Sequence, residues 1–249
     1  AKQIDFTQFG PVETQPLSRI KQLSGQFLHR NWVMIPHVSQ HGETDITELE
    51  AYRQQHKAQA LELGIRLTPL VFIMKAVVAS LKAFPLFNSS LHADGKSLVM
   101  KSYYHIGVAV DTPEGLVVPV VRDVDKKTIG EIAKELTALS EKARTVGLSP
   151  KEMQGSCFTI SSLGGIGGHY FTPIINAPDV AILGVSKSSL KPLFDADQNV
   201  VARLMLPLSL SYDHRVIDGA QGARFFVHLC DQLTHFDRAL FETLMQTEC

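Results

Sequence analysis

Cysteine is scarce in this 249-residue sequence, and its placement argues against a disulfide framework. The three cysteines, Cys157, Cys230 and Cys249, are an odd number and show no C-x-x-C spacing. Disulfide scaffolds need paired cysteines and an oxidising compartment. The sequence therefore predicts a protein of a reducing compartment, whose cysteines are small apolar residues or part of a frayed end.

Long apolar runs and clusters of basic residues are also missing. The apolar stretch Val71–Leu81 contains Lys75 and is shorter than the roughly 18 residues that a membrane span needs. Lys and Arg number 24 against 25 Asp and Glu, which gives a formal net charge of −1. We therefore expect no membrane span, and no nucleic acid as the main partner. The sequence shows no signal-peptide pattern and begins with Ala-Lys-Gln rather than Met, so we expect either a processed chain or a segment of a longer protein.

Apolar residues make up 45% of the chain, which is enough for one large core. Helical and strand patterns interleave throughout, and no internal linker is visible. We predict one α/β (α+β) two-layer sandwich, with helices packed on a mixed, mostly antiparallel sheet. Residues 1–16 are expected to form an extended arm, and residues 17–249 the single domain.

Periodicity and capping signals divide the chain into elements. Helices are predicted over Leu17–Arg30, from Thr47 to about Leu63, from Pro69 to about Phe84, from Thr128 to about Thr145, and over Ala220–Leu233. Capping boxes are predicted at Thr47, Thr128 and Ser149. The apolar face of the last helix is predicted to hold Ala223, Phe226, Val227, Cys230 and Leu233. A strand is predicted over Trp32–Val38, paired across a turn at His41-Gly42 with a segment that ends near Ile46. Further strands are predicted over His105–Val110, Leu116–Val121, Cys157–Ser161, Val180–Ser186 and Leu204–Ser211.

The segment Ser211–Gly219 concentrates polar chemistry at the end of an apolar strand. Asp213, His214, Arg215 and Asp218 lie within six residues of one another. Histidine is the side chain best suited to proton transfer near neutral pH. The plainer alternative is a polar turn in which Asp218 caps the last helix, and capping is compatible with catalysis.

The spacing His214-x-x-x-Asp218-Gly219 resembles the motif of the chloramphenicol acetyltransferase and dihydrolipoyl acyltransferase superfamily. The resemblance extends over nearly the whole chain and is closest to the catalytic domain (E2) of 2-oxo acid dehydrogenase complexes, particularly the pyruvate branch, whose acyl group is acetyl. The other segments that carry it are Arg30–Val38, Thr44–Glu50, Phe87–Ser90, Gly107–Asp111, Gly115–Pro119, Phe158–Ser162 and Asn176–Pro178.

The resemblance implies acyl transfer between coenzyme A and dihydrolipoamide, with the lipoyl group carried on a domain absent from this chain and with no metal. His214 is then the general base that deprotonates a thiol, because the thiolate is the nucleophile. Ser162 matches the hydroxyl that stabilises the oxyanion, and Ser161 is the adjacent alternative. Lys187 is a candidate for a coenzyme A phosphate, although a solvated lysine is the plainer interpretation.

Asp218 has two possible roles. A carboxylate four residues after His214 could orient the imidazole, as in hydrolytic triads. The resemblance instead implies that it anchors the loop through an arginine, for which Arg30 and Arg215 are candidates.

Two other motifs do not support a cofactor. The loop Gly164–Gly168 fails the G-x-G-x-x-G test because Tyr170 occupies the last required position, and we expect a flexible surface loop near the site. His37 and His41 are four residues apart in a β-prone stretch, about 13 Å along a strand, which favours surface histidines over a metal pair.

For assembly, the resemblance implies a homotrimer that builds a hollow core of about 24 subunits. Contacts with lipoyl domains and with the E1 and E3 components would use segments absent here, and the apolar segment Ala239–Met245 is compatible with contacts between subunits. The resemblance favours a bacterial cytoplasm over a mitochondrial matrix. The alternatives are a succinyl- or branched-chain-specific homologue, a drug acetyltransferase of the same fold, or a scaffold without catalysis.

Overall fold

The structure is a computed structural model, and it describes residues 4–236. The helices of that part of the chain are α1 (Arg19–Met34), α2 (Thr47–Glu62), α3 (Pro69–Ala83), α4 (Ile129–Thr145) and α5 (Gly219–Thr234). Single turns of 3-10 helix lie at Phe6–Gln8, Pro85–Asn88 and Pro150–Met153. All five long helices were predicted, with shifts of a few residues at their ends.

The strands form one large mixed sheet and two small hairpins. They are β1 (His37–Asp45), β2 (Ser89–Leu91), β3 (Leu98–Met100), β4 (Ile106–Val108), β5 (Val110–Thr112), β6 (Gly115–Val117), β7 (Val120–Val121), β8 (Phe158–Ser162), β9 (Ala181–Val185), β10 (Ser189–Phe194) and β11 (Val200–Asp213). The large sheet has the order β1-β11-β9-β8-β4-β7, and β10 pairs with β11. β8 runs parallel to β4 and β9, and the other pairs are antiparallel. The predicted mixed, mostly antiparallel sheet is confirmed.

β11 is the longest strand of the large sheet, and its two faces meet different layers. Successive side chains of a strand point to opposite faces. Leu208, Leu210 and Tyr212 are buried against the helices, and the ring of Tyr212 packs on Gly222 of α5. On the other face, the buried Ser209 accepts a hydrogen bond from the backbone N–H of Phe171. Helices therefore cover one face of the sheet, and the irregular segment between β8 and β9 covers part of the other.

The predicted strand Trp32–Val38 with a turn at His41-Gly42 is wrong. α1 continues to Met34, and β1 then runs without a turn from His37 to Asp45, paired residue by residue with β11. The helix ends there because Pro36 disfavours a helical conformation at the residue before it. Gly42 allows the ring of Phe226 to pack closely against β1, because a Cβ at this position would lie 2.7 Å from that ring.

The predicted apolar face of α5 is also partly wrong. Val227 is exposed, and the buried residues of the helix are Gly222, Phe225, Leu229 and Leu233. A Cβ at Gly222 would lie 2.6 Å from the ring of Tyr212. The helix therefore turns its glycine toward β11, and this close approach defines the buried face.

Of the predicted capping boxes, that of Thr128 is confirmed, with Glu131 as its partner. The box at Ser149 is also present, because Glu152 accepts a hydrogen bond from the Ser149 N–H at 2.7 Å. The box at Thr47 is wrong, because Asp45 Oδ1 accepts the hydrogen bonds of both the Thr47 N–H and its hydroxyl. Asx-type bonding from the preceding strand thus replaces the expected box.

Residues 4–17 are exposed and have no regular structure beyond their 3-10 turn. The segment Ala239–Met245 lies outside the described residues. Over residues 4–236, every helix is too short or too polar to cross a bilayer.

Candidate active site

Ser162 is the last residue of β8 and lies between two cavities. One cavity, of about 400 Å³, is lined by Ser162 together with the apolar residues Ile46, Leu70, Ile73, Val185 and Leu206. The other, of about 250 Å³, is lined by Ser162, Arg66 and Arg144 among others. The Ser162 hydroxyl makes no hydrogen bond within the described part of the chain. It is therefore free to donate to a bound molecule.

Ser162 and Ser161 are adjacent in β8, but their side chains have different surroundings. Alternation along β8 places the two side chains on opposite faces of the sheet. Ser161 is paired with Gly184, and Phe171 packs against Gly184 on the face away from the helices. Ser162, and not Ser161, lines both cavities.

His214 follows β11 directly and is held by its backbone. Its N–H donates to the carbonyl of Pro36 at 3.0 Å, and the residue is exposed. Its ring is stacked near the buried ring of Tyr212, with centroids 6.3 Å apart. The imidazole makes no hydrogen bond to another group of residues 4–236, so both ring nitrogens are available to a substrate.

Asp213 and Arg215 form an ion pair on either side of His214. Asp213 is buried, and its carboxylate accepts hydrogen bonds from Nε (2.9 Å) and Nη2 (2.7 Å) of Arg215. The hydrogen bond to Asp213 raises the pKa of Arg215 above its usual range, although burial opposes the shift. A bidentate pair of this kind fixes the backbone on both sides of His214.

Asp218 caps α5 rather than pairing with an arginine. Its Oδ1 accepts a hydrogen bond from the Gln221 N–H at 2.8 Å, and Gln221 Oε1 accepts one from the Asp218 N–H at 3.0 Å. Arg215 is committed to Asp213, and the guanidinium of Arg30 lies over the ring of Phe27. Within one chain, neither expected arginine therefore anchors Asp218.

Ser162 and His214 lie at opposite ends of the same sheet. Register places Ser162 beside Val185, and Val185 beside Leu208. His214 comes six residues after Leu208, which is about 20 Å along an extended strand. A base and an oxyanion donor must each lie about 3 Å from the reacting group. The two side chains of one chain therefore cannot act on the same acyl group.

The thiols of the described residues are poor nucleophiles. Burial raises the pKa of Cys157 to about 11, and that of Cys230 to about 11 as well. Both are therefore protonated at neutral pH, and the thiolate is the reactive form. Neither of these two thiols lines the cavities at Ser162.

Lys187 is exposed and lies close to the larger cavity, because its neighbours Ser186 and Ser188 line it. The Gly-rich loop also reaches this cavity, through Gly164 and Gly165. Sequence reasoning placed the loop near the site, but it missed three further groups that line the cavities: Arg66, Thr68 and Arg144. The pair Thr68-Pro69 marked only a helix start, yet the Thr68 side chain makes no capping bond.

His37 and His41 make separate hydrogen bonds. His37 Nε2 accepts from the Ile175 N–H at 2.9 Å, which requires a lone pair there, so the proton is on Nδ1 and donates to the carbonyl of Ile35. His41 Nδ1 bonds the hydroxyl of Ser209 at 2.9 Å. The His37 ring therefore bonds backbone groups, and the His41 ring bonds a serine hydroxyl of β11, so the two rings have no partner in common.

Comparison with known proteins gives a consistent result. Residues 9–241 match the model of the 2-oxoacid dehydrogenases acyltransferase catalytic domain. The acetyltransferase component of the pyruvate dehydrogenase complex from Cupriavidus necator is 59% identical over 236 residues, and its counterpart from Haemophilus influenzae is 55% identical over 237. These matches cover 95% and 94% of this chain, but only 42% of each relative. The chain thus spans less than half the length of these relatives.

Solved structures agree on the fold. A crystal structure of Azotobacter vinelandii dihydrolipoamide acetyltransferase, from work on a serine, a histidine and an asparagine in its catalytic mechanism, is 52% identical with a TM-score of 0.93. That match covers 96% of this chain and 98% of the other. The structure of the cubic core of a pyruvate dehydrogenase multienzyme complex is also 52% identical, with a TM-score of 0.93 and the same coverage of both chains. A chloramphenicol acetyltransferase is 16% identical with a TM-score of 0.53, covering 83% of this chain and 94% of the other, and shares the fold.

Proposed function

The chain belongs to the family of 2-oxoacid dehydrogenase acyltransferase catalytic domains, and on that premise we propose that it transfers an acetyl group between a lipoyl thiol and coenzyme A. The curated relatives named above are acetyltransferases of pyruvate dehydrogenase complexes, which favours acetyl over succinyl or branched-chain groups. His214 and Ser162, both with free polar groups, favour an enzyme over a scaffold without catalysis.

His214 acts as the general base. Its imidazole takes the proton of the coenzyme A thiol, and the thiolate attacks the carbonyl carbon of the acetyl-dihydrolipoyl thioester. The tetrahedral intermediate collapses by breaking the bond to the dihydrolipoyl sulfur. That sulfur takes the proton back from the imidazolium, and acetyl-coenzyme A is released with the base restored.

Ser162 stabilises the intermediate. The attack places a negative charge on the carbonyl oxygen, and a preorganised hydroxyl donor lowers the energy of that oxyanion. The apolar lining of the larger cavity suits an acyl-bearing arm, and Lys187 near its rim is available to an anionic group of the substrate.

The observation that carries the proposal is the separation of Ser162 and His214 within one chain. A working site must combine Ser162 of one copy with His214 of another. The homotrimer that the family resemblance implies would be a head-to-tail ring in which each copy supplies Ser162 to one site and His214 to the next. The match to a cubic core supports a further assembly of such trimers, eight of which give about 24 chains. The full reaction would also engage lipoyl domains and the E1 and E3 components, in a bacterial cytoplasm.

Mixing two strongly impaired variants tests the function and the shared site together. Ser162→Ala and His214→Ala chains are denatured, mixed in equal amounts and refolded, and acetyl transfer from acetyl-coenzyme A to dihydrolipoamide is measured. In a random head-to-tail ring, one chain supplies Ser162 and the next supplies His214, so about a quarter of the sites are intact. We expect activity near that fraction of wild type, whereas each variant alone keeps about 1% or less. No recovery in mixed rings of normal mass would contradict the two-chain site.

Asp218 fixes the segment that carries the base. In the Azotobacter enzyme, the asparagine follows the histidine by four residues, and the histidine follows the serine by 52. Ser162, His214 and Asp218 have the same separations in this chain. Asparagine and aspartate are equally good N-caps. The asparagine of the Azotobacter enzyme and Asp218 of this chain can therefore both serve as a helix N-cap, although only Asp218 carries a charge. This common property supports a structural role for Asp218.

Two substitutions of Asp218 distinguish its role as the N-cap of α5 from the role of its negative charge. Asp218→Ala removes the acceptor at the start of α5, and we expect the free energy of unfolding to fall by about 1 kcal/mol, together with poorer assembly. Asp218→Asn keeps an acceptor and should remain near wild type. Urea denaturation and acetyl-transfer assays of the three chains provide the measurement. An equal loss of rate in both variants would show that the carboxylate charge is essential.

A further inference from the structure

Asp179 is one of two buried carboxylates in the described part of the chain, and the proposed mechanism does not use it. The other, Asp213, is paired with Arg215. The side chain of Asp179 has no exposed surface, whereas most carboxylates of folded proteins remain in contact with water. Burial raises the pKa of Asp179 above its usual range, and Lys101 opposes the shift. A charge in such a place is costly unless neighbouring groups bond it.

The Asp179 carboxylate bonds the beginning of β8. Its Oδ2 accepts hydrogen bonds from the Thr159 hydroxyl at 2.7 Å and from the Ser156 hydroxyl at 2.9 Å. Lys101 Nζ lies 3.7 Å from Oδ1 and donates to the Ser156 carbonyl at 3.0 Å. Two hydroxyl donors and one ammonium group therefore offset the cost of the buried charge, and they tie Asp179 to the strand that ends at Ser162.

Asp179 belongs to residues 175–180, which we call the bracing segment and which lead into β9. The carbonyl of Val180 accepts the backbone N–H of Asp213 at 2.8 Å, and His214 is the next residue of the chain. A single backbone hydrogen bond therefore joins the neighbour of Asp179 to the neighbour of the proposed base. The buried carboxylate and His214 lie at the same end of the sheet.

The bracing segment also reaches the second backbone contact of His214. The N–H of His214 donates to the carbonyl of Pro36, between α1 and β1. Ile175 bonds residues on both sides of this proline: its carbonyl accepts from Asn31 Nδ2 at 2.9 Å, and its N–H donates to His37 Nε2 at 2.9 Å. A displacement of the segment would therefore disturb both of the carbonyls that hold the backbone around the base.

We propose that Asp179 is a positioning residue for His214: by fastening the bracing segment to β8, its carboxylate sets where the imidazole meets the thiol of coenzyme A. The inference rests on the function proposed above. Asp179 acts through the backbone, since its side chain is out of reach of a substrate. Hydrogen bonds to a buried charge are directional and specify one geometry. A base must lie about 3 Å from the proton that it takes, and a misplacement of about 1 Å can lower the rate about 10²-fold.

Asp179→Asn removes the charge with almost no change in volume. The amide keeps one acceptor but turns N–H donors toward the hydroxyls and the ammonium group, so the bracing segment must shift. We expect kcat for acetyl transfer to fall by about 10–10²-fold in a protein of wild-type mass, with KM for coenzyme A unchanged within about twofold. Wild-type kcat would overturn the proposal.

Glu50→Gln is the matched control for Asp179→Asn. It makes the same change from acid to amide in a carboxylate whose bonds to Arg53 and Gln54 lie within α2, apart from the bracing segment. We expect Glu50→Gln to keep wild-type kcat. Losses of equal size in the two variants would show that any weakened carboxylate lowers the rate, and would refute a specific role for Asp179.

Combining Asp179→Asn with His214→Ala separates positioning of the base from general support of the fold. If Asp179 acts through the imidazole, its replacement costs nothing once the imidazole is absent, so the double variant should match the kcat of His214→Ala within about twofold. With Ser162→Ala, the two losses should multiply, because Ser162 lies at the other end of the sheet. Losses that multiply with His214→Ala would refute the assignment.

Thr159 provides a test that leaves the carboxylate in place. Thr159→Val removes one hydroxyl donor while keeping the shape of the side chain, and Thr159→Ser keeps the donor. We expect Thr159→Val to lower kcat by up to about tenfold, since Ser156 and Lys101 still bond the carboxylate, and Thr159→Ser to stay near wild type. This pair decides the question if Asp179→Asn fails to assemble. Equal kcat values for the two variants would overturn the role of the carboxylate.

The outcomes also distinguish this inference from the proposed function. If mixed Ser162→Ala and His214→Ala chains recover activity while Asp179→Asn keeps wild-type kcat, the proposed function stands and the role of Asp179 is refuted. If His214→Ala itself stays within about tenfold of wild type, the base assignment fails, and the positioning of that base fails with it.

Discussion

Replacing His214 with alanine is expected to lower kcat by about 10²–10⁴-fold, which is the usual contribution of a positioned general base. A free thiol with a pKa of about 8.5 is mostly protonated at neutral pH, so the variant depends on the small fraction that is already ionised. His214 is exposed, and its imidazole bonds no other group among residues 4–236. Its loss should therefore leave the stability and the mass of the assembly unchanged, which denaturation and light scattering can verify.

The pH dependence of the His214→Ala variant identifies what was lost. Its kcat should rise about tenfold per pH unit until the thiol of coenzyme A is ionised by the solvent, because the thiolate then no longer needs a base. Two results would contradict the assignment: activity within about tenfold of wild type in a correctly assembled protein, or a residual rate that does not respond to pH.

Elements with strong periodicity were predictable from sequence. α3 is apolar on nearly all sides and begins at Thr68-Pro69, while β11 is a long apolar strand, and the structure bears out both. Predictions failed where a glycine packs closely. Gly42 was predicted to lie in a turn, and Gly222 was not included in the predicted apolar face of α5. In the structure each of the two glycines packs against an aromatic ring. Hydrophobic periodicity cannot register a residue whose contribution is the absence of a Cβ.

The candidate site was predictable as residue types but not as an arrangement. Ser162, His214 and Asp218 could be identified from their motifs, and Asp218 caps α5 as the plainer interpretation held. The separation of Ser162 from His214 could not be predicted. It follows from the pairing of β8 with β9 and of β9 with β11, which depends on contacts between distant segments. Local spacing carries no information on that register.

Replacing Ser162 with alanine is the second change with a large expected effect. Removal of one oxyanion donor typically lowers kcat by about 10²–10³-fold. The donor acts on a charge that exists only after attack, so we expect KM for coenzyme A to change little. Because Ser162 makes no hydrogen bond to the described residues, the variant should fold and assemble normally. Steady-state kinetics with coenzyme A as the varied substrate separate the two constants.

Ser161→Ala is the matched control for Ser162→Ala, because it deletes the same hydroxyl one residue earlier on the same strand. Ser161 faces the side of the sheet on which Phe171 packs against Gly184, and it lines neither cavity that Ser162 lines. We therefore expect Ser161→Ala to retain nearly full kcat. A higher KM with unchanged kcat in Ser162→Ala would place that hydroxyl in substrate binding instead. Equal losses in the two variants would show that the hydroxyls support the end of β8 rather than the oxyanion.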